Sequence, residues 1–485
     1  MSWWMVQEFW LLAAGSVLLL AEVFVPRQRG AGSLGGVSLG LMFLALIQVV
    51  FFAPQGTALN GAYVSNGLTI LLKSLFIVAG IVSTWLALRE QESMGTTDSV
   101  REAVVLPWFI LSGLGLMASA RDFLMLFVAV ELVTVTFYIL VSLRRKEVTS
   151  LEAGIKYLVM GALSTGFLVY GMALIYGATG ALTFEAIGKN LSESGGLSAE
   201  NPALLLGVVM LLAALGFKVA VVPFQWWAPD VYQGSPLSVT TFLSVGSKAA
   251  GFSVLITLFQ PGGALCSVVE QHGDALAYIA AGSILFGSLA GMAQRDLKRL
   301  VGYSGINNAG FMLLALCSAG SQGVMAAIYY IIAYSFSALL LLFVVGHVLV
   351  KTEKGTLTMS DISGLAGRNG TLGWCLVIAL ASLAGVPPLA GFWGKWFVLS
   401  AAIDAGHFLA AILAVIGAVC ALVYYFGIIR AVFFEEVSTP LKNAVSLGMT
   451  LPYRLGVSAV MAASIVIGLT PNVLLDLLGM VFVSK

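Results

Sequence analysis

LLAALGFKVAVVPF (residues 211–224) and ASLAGVPPLAGFWGKWFVL (381–399) decide the fold. Each lies in an apolar run of membrane length, is interrupted by proline, and carries a lysine beside the interruption. Proline inside a helix removes a backbone donor and clashes with the preceding turn. In a bilayer the freed backbone groups are tolerated only where they are buried in protein or line a wet cavity. Two such interruptions, one in each half of a chain, point to the site of an inverted-repeat transporter. They fall in the seventh and twelfth apolar spans, which predicts a repeat of five helices. An odd number turns the second copy over in the membrane. Lys218 precedes its interruption and Lys395 follows its own, so the two lysines are not expected to superpose.

The rest of the chain fits that reading. Of 485 residues, 59% are hydrophobic and 10% charged, against ~25% charged in soluble domains. This excludes an ordinary soluble enzyme, a disordered chain and a coiled coil. The net charge of +1 leaves no basic face for nucleic acid. Membrane helices need roughly 20 apolar residues. Fourteen runs qualify: 6–25, 33–53, 66–88, 103–120, 123–143, 154–177, 203–223, 235–259, 274–293, 297–318, 322–350, 371–402, 407–433 and 455–478. The predicted class is an all-α polytopic membrane protein of about 14 transmembrane helices, with two inverted five-helix repeats and broken helices 7 and 12. Its expected divisions are 1–102 (helices 1–3), 103–259 (helices 4–8), 274–433 (helices 9–13) and 455–485 (helix 14). The longest polar connection, 178–202, is too short to fold alone. The first span has no basic leader or small-residue cleavage pattern, so it is expected to be retained.

Lysine and arginine placement sets the topology. Loops that begin at odd-numbered spans carry sixteen of the twenty-four basic residues, among them Arg144, Arg145, Lys146, Arg295, Lys298 and Arg299. The remaining loops and the two ends carry three: Arg121, Lys189 and Lys485. The odd-start loops are therefore expected in the cytoplasm and both termini on the outer side.

Six ionisable residues within the spans bear most on function: Lys73, Lys156, Lys218, Lys248, Lys395 and Glu131. At about 2.5–3.5 kcal/mol each, together they would cost roughly 15–20 kcal/mol facing lipid as ions. They must face the bundle interior, pair, meet water or be neutral. Glu131 sits mid-span and either moves a proton or glues two helices through a static ion pair. Lys248 is flanked by Ser244, Gly246, Ser247 and Gly251, which leave room for close contact and water. Lys156, near the start of its span, has a snorkelling reading almost as good as a functional one. Lys73 could snorkel too and ranks last. His347 reads as an interfacial histidine. A lysine removed from water sheds its proton more easily, and a nearby carboxylate opposes this. One carboxylate among several lysines favours H⁺ over Na⁺ as the cargo. Cys266, Cys317, Cys375 and Cys420 are dispersed, with no CxxC pair. No P-loop, dinucleotide turn, HExxH or nucleophile elbow is present. The chain is expected to move charge without redox or hydrolytic chemistry of its own.

At these residues a family resemblance enters. GFKVAVVPFQWWAPDVYQGSPLSVTTFLSVGSKAA (216–250) resembles the signature of the antiporter-like subunits of respiratory complex I. So do VELVTVTFYIL (130–140), EAGIKYLVMGALSTGFLVYGMALIYGATG (152–180), DLKRLVGYSGINNAGFMLLAL (296–316) and SLAGVPPLAGFWGKWFVL (382–399). PDVYQGSP (229–236) is similar to the N branch among the three large subunits. The M branch usually carries glutamate where Lys395 stands, and the L branch continues into a lateral helix that is not expected after Lys485.

The resemblance implies a proton-translocating module of NADH-quinone oxidoreductase. It places the family's functional positions on Glu131, Lys156, Lys218, Lys248 and Lys395. It implies no cofactor in this chain, with NAD, FMN, iron–sulfur clusters and quinone in partner subunits. Those partners would be an antiporter-like M subunit and small subunits of the K, J and A types, in a bacterial cytoplasmic (inner) membrane. Gln225 stands where the family often has histidine, and glutamine cannot titrate. Two other readings stay open: a cation/proton antiporter subunit of the Mrp type, and a structural membrane spacer.

Overall fold

The computed structural model describes residues 6–24, 30–94, 100–193, 197, 201–318, 320–352, 356–439, 442 and 447–483. Of the basic residues used for topology, Arg27, Arg29, Lys354 and Lys485 lie outside them. The first six spans form α1 (Gln7–Phe24), α2 (Gly30–Phe52), α3 (Gly67–Met94), α4 (Val100–Ser119), α5 (Phe123–Val141) and α6 (Val148–Thr179). An antiparallel pair, β1 (Gly56–Ala58) and β2 (Tyr63–Ser65), joins α2 to α3 and was not expected in an all-α chain. Its turn puts Leu59, Asn60 and Gly61 at positive φ. The connection after α6 folds into α7 (Phe184–Glu193), whose Phe184, Ile187 and Leu191 are buried.

The seventh span is α8 (Pro202–Val219) and α9 (Trp227–Gly234), followed by the eighth, α10 (Leu237–Phe259). α9 lies in a stretch that hydropathy had assigned to a loop; its aromatic and polar residues hide a half-helix. Spans nine to eleven are α11 (Cys266–Met292), α12 (Leu297–Leu316) and α13 (Ser321–Thr352). The twelfth is α14 (Gly370–Ala384) with α15 (Ala390–Asp404), and the thirteenth is α16 (Phe408–Phe434). The last predicted span divides into α17 (Leu451–Leu469) and α18 (Pro471–Val483), because Pro471 starts a new helix rather than continuing the old one. Twelve helices among the described residues are long and apolar enough to cross a membrane alone. α12, diluted by Ser304, Asn307 and Asn308, and the α14–α15 pair complete fourteen spans.

Two junctions occur twice. Asp122 caps the start of α5 by accepting from Met125 N–H, and Asp296 caps α12 by accepting from Arg299 N–H. Asp122 bridges to Thr183 after α6, and Asp296 bridges to Thr358 after α13. The two breaks also match. α8 ends at Ala220 (φ 60°) and α14 at Gly385 (φ 86°), both left-handed. Val221 N–H reaches back to Gly216 O at 3.0 Å, and Val386 N–H to Ala381 O at 2.9 Å. These are Schellman closures, which satisfy carbonyls that the break would orphan. Pro223 and Pro388 each follow three residues after the left-handed residue.

Burial separates a centre from a rim. α10 is wholly buried and α13 nearly so, with 100% and 94% of their most apolar windows covered. α1, α2, α6 and α16 instead expose large apolar residues such as Leu20, Phe51, Leu163 and Ile412. Such a surface belongs in hydrocarbon or against other membrane subunits.

Gly391 shows how tightly the second break closes: a Cβ there would come within 1.8 Å of Ser382 O. Gly391→Ala should cost about 3 kcal/mol or more by overpacking and remove the protein from assembled membranes. Gly367→Ala, with nothing within 4 Å of its would-be Cβ, should not. Blue-native gels of the two variants check this.

Candidate functional site

The breaks bring the lysines to helix ends. Lys218 occupies the last turn of α8 and is 6% exposed. A cation there faces the negative end of the helix dipole. Its Nζ donates to Thr134 Oγ1 on α5 at 3.1 Å. Glu131, one turn before Thr134, accepts from Thr165 Oγ1 on α6 at 2.6 Å. No ion pair within 4.0 Å joins Glu131 to Lys218. Lys218 lines a small cavity together with Thr134, Ser164 and Thr165, the last of which is the donor to Glu131. The two groups form no direct ion pair here; each has a threonine hydroxyl as its hydrogen-bond partner instead.

Lys248 follows a π-helical turn, Leu243–Ser247, inside α10. Such turns widen a helix and recur at functional sites. Its Nζ donates to Gly305 O on α12 at 2.6 Å and lies 5.4 Å over the Tyr334 ring. Lys395 on α15 crosses the second break. Its Nζ donates to Leu383 O at 3.0 Å and Ala384 O at 2.9 Å, carbonyls at the end of α14. It also sits 5.2 Å over the Phe311 ring. Lys248 and Lys395 therefore have carbonyl and ring partners but no carboxylate. Ring faces and carbonyls stabilise a cation without pinning it as a fixed counter-charge would.

Hydroxyls and amides fill the ground between these two lysines. Tyr330 OH donates to Asn308 Oδ1 at 2.7 Å, and Ser304 Oγ and Tyr425 OH lie 2.6 Å apart. Asn308 Nδ2 donates to Ser304 O at 2.7 Å. Gly305, the acceptor of Lys248, is next to Ser304 on α12. Gly394, next to Lys395, packs against the Tyr330 ring. Sequence reasoning missed these residues because it counted only ionisable groups. SGINNAG (304–310) inside an apolar span was the available signal.

A second polar series leads to Lys248 along α10. The buried Lys298 donates to Ser235 O at 2.8 Å, and Ser235 Oγ and Thr240 Oγ1 lie 2.8 Å apart. Ser244 Oγ donates to Thr241 O at 3.1 Å one turn further on. Glu90, buried at the end of α3, accepts from Leu237 N–H at 2.9 Å and from Arg144 at 3.1 Å. It thus fills the N-terminal cap of α10 with a carboxylate. Arg144, Glu147, Lys298 and Asp361 line an open cavity beside it. Gln225 is buried, and its Oε1 has no partner.

Lys156 stands apart. Its side chain is 43% exposed and pairs with Asp230 and Glu152, each at 2.8 Å. Asp230 also binds Arg299 at 2.5 Å, which ties α6, α9 and α12 together. Lys73 does not snorkel: it is 4% exposed and pairs with Glu8 at 2.8 Å. His347, expected at an interface, is buried against Tyr453 with Nε2 3.2 Å from Leu447 O. Among the described residues, no cluster of three or more His, Cys, Asp or Glu could hold a metal.

Comparison with known proteins identifies the family and the fold. Residues 120–421 match the family described as "NADH:quinone oxidoreductase/Mrp antiporter, TM". NADH-quinone oxidoreductase subunit N of Desulforamulus reducens is 34% identical over 477 residues, covering 98% of this chain and 96% of the relative. A chain of respiratory complex I from Thermus thermophilus superposes with a TM-score of 0.80 at 30% identity, covering 97% of this chain and 98% of that one. A chain of the Mrp complex from Dietzia shares the fold, with a TM-score of 0.81 at 20% identity over 99% of this chain and 97% of that one.

Thr165→Val removes the hydroxyl that Glu131 accepts from. A hydrogen bond to a charged group contributes about 1.5–3 kcal/mol, so this variant should be destabilised by that order. Lys156→Ala breaks two half-exposed ion pairs, each contributing about 1 kcal/mol or less. Thermal unfolding of the two variants in detergent compares them directly.

Proposed function

We propose that the chain, which belongs to the NADH:quinone oxidoreductase/Mrp antiporter family of membrane subunits, is the proton-translocating N-type subunit of a complex I membrane arm. The observation that carries this reading is the series of buried lysines Lys218, Lys248 and Lys395, with the half-buried Glu131 near the first and hydroxyls and amides about the others. The chain contributes charge movement to an H⁺-translocating NADH-quinone oxidoreductase. NAD, FMN, iron–sulfur clusters and quinone belong to partner subunits, as do the electrons.

In this mechanism quinone reduction elsewhere shifts the field at Glu131. Lys218 already bonds Thr134 rather than Glu131, so a small movement of the carboxylate changes how tightly Lys218 holds its proton. The proton passes to Lys248 and then through the Ser304, Tyr425, Asn308 and Tyr330 network, with internal water, to Lys395. Lys395 releases it on the outer side. Lys298, Ser235 and Thr240 offer Lys248 a route for reloading from the cytoplasmic cavity. Lys156 acts with Asp230 as a clamp at the mouth of that side. Water must replace the histidine relay at Gln225, whose buried orphan oxygen can accept from it.

The chain divides into helices 1–3 (1–102), two five-helix units (103–259 and 274–433) and a final helix (455–485). The repeated Asp caps, bridges and breaks support this division. It lies in a bacterial inner membrane with both termini outward, beside an M-type subunit and small K-, J- and A-type subunits. The charge distribution of its loops supports that orientation. The Mrp-type alternative, Na⁺ exchange driven by a pH gradient without NADH, shares only the fold at 20% identity.

Lys218→Ala in the assembled complex should abolish most quinone-coupled proton uptake, a loss of about 100-fold or more if the lysine carries the proton. Unchanged pumping with normal assembly would sink the mechanism. Cysteines placed at Lys146 and Lys189 should react with a membrane-impermeant maleimide from the cytoplasmic and outer sides respectively; the reverse pattern overturns the orientation.

A further inference from the structure

The second break holds its lysine in a way that asks for a cation, not only for a hydrogen-bond donor. The last two carbonyls of α14, Leu383 O and Ala384 O, both accept from Lys395 Nζ, at 3.0 and 2.9 Å. The ring of Phe311 lies 5.2 Å from the same nitrogen. The Lys395 stem runs against Gly385, where a Cβ would lie 2.9 Å from Cδ. Gly385 is also left-handed (φ 86°), so glycine there serves both the turn and the stem. Lys395 is 6% exposed. The first break answers a backbone carbonyl differently: the indole Nε1 of Trp227 donates to Phe217 O, in the last turn of α8, at 2.9 Å. A neutral donor is therefore enough to satisfy a carbonyl at such a break.

Three features at the end of α14 favour positive charge over a neutral donor. Two carbonyls converge on one nitrogen, the negative end of the helix dipole adds to them, and an aromatic face attracts a cation. The stem supplies none of this; it only delivers the nitrogen. We infer that the end of α14, with Phe311, is a binding site in its own right for a small primary ammonium ion, and that Lys395 is that ion carried on a tether. The inference stands on this geometry and not on the passage of a proton through Lys395. The free ligand that fits once the tether is cut is set by the atoms removed. Lys395→Ala deletes Cγ, Cδ, Cε and Nζ, which together make n-propylammonium. Binding is non-covalent, and no bond forms or breaks.

Thermal unfolding of the purified complex carrying Lys395→Ala tests this, with n-propylammonium chloride compared against 1-propanol and tetramethylammonium chloride. The readout is stability, so a failure of the relay mechanism would leave the result standing. n-Propylammonium should raise the unfolding temperature of the variant by several degrees, saturating with concentration. It should leave the unsubstituted complex, whose site Lys395 fills, unchanged. Propanol has the length without the charge, and tetramethylammonium the charge without an N–H; neither should stabilise the variant. Lys395→Met keeps the stem and loses the nitrogen, so its filled slot should make it unresponsive to every additive. If Lys395→Ala does not assemble, cells are grown with propylamine, and the assembled complex should return on blue-native gels with the amine and not with propanol. Equal rescue by propanol would reduce the site to an apolar slot and overturn the proposal. So would a Lys395→Ala complex that n-propylammonium neither stabilises nor restores.

Discussion

A hydrocarbon environment offers backbone groups no partner, and the two helix breaks would strand their carbonyls there. The rest of the structure depends on how that is met. At the second break, Lys395 reaches back across the gap and binds the carbonyls of Leu383 and Ala384. Its ammonium is therefore part of the fold before it is part of any function. At the first break the lysine stands on the near side, in the last turn of α8, where the helix dipole holds it. In both places the break supplies negative potential that a lysine answers without a carboxylate.

That arrangement has a consequence for charge movement. A carboxylate in contact would fix a buried ammonium, and moving its proton would leave an unpaired charge in the interior. Carbonyls, ring faces and hydroxyls hold the same ammonium by weaker, many-sided attraction. Lys248, bound to Gly305 O and the Tyr334 ring, is the clearest case. Even Glu131, on the helix beside Lys218, bonds a threonine hydroxyl rather than the lysine. The contrast is with Lys73, which touches Glu8 directly. The same chain thus contains a loosely held series and one tightly held pair.

The large features of this design were legible because they are written as interruptions of an apolar pattern. Fourteen spans, both breaks and the buried Lys218, Lys248 and Lys395 all appear as departures from hydrophobic runs. What stayed hidden had no such contrast. α9 carries Trp227, Asp230 and Gln233, so its half-helix read as a loop. Glu8, the second residue of its helix, went unremarked in the sequence, although packing buries it. Lys156 and Lys73 exchanged places for the same reason: depth along a helix says nothing about which face a side chain occupies. Neutral polar residues such as Asn308 and Tyr425 do not lower hydropathy enough to stand out, and only their contacts show that they form one network.

The two breaks share a geometry and differ in their side chains. Ala220 and Gly385, and likewise Pro223 and Pro388, lie 165 residues apart and build the same break. At that spacing Lys218 corresponds to Leu383, and Lys395 to Asp230. Duplication alone would have produced two equivalent half-sites with the same affinity for a proton. Instead the first unit places its lysine before the break and an acid after it, where Lys156 and Arg299 hold Asp230. The second unit has leucine before the break and a lysine after it. The two breaks therefore share one backbone design and differ in chemistry: an acid held by two bases follows the first, and a lysine bound to carbonyls follows the second.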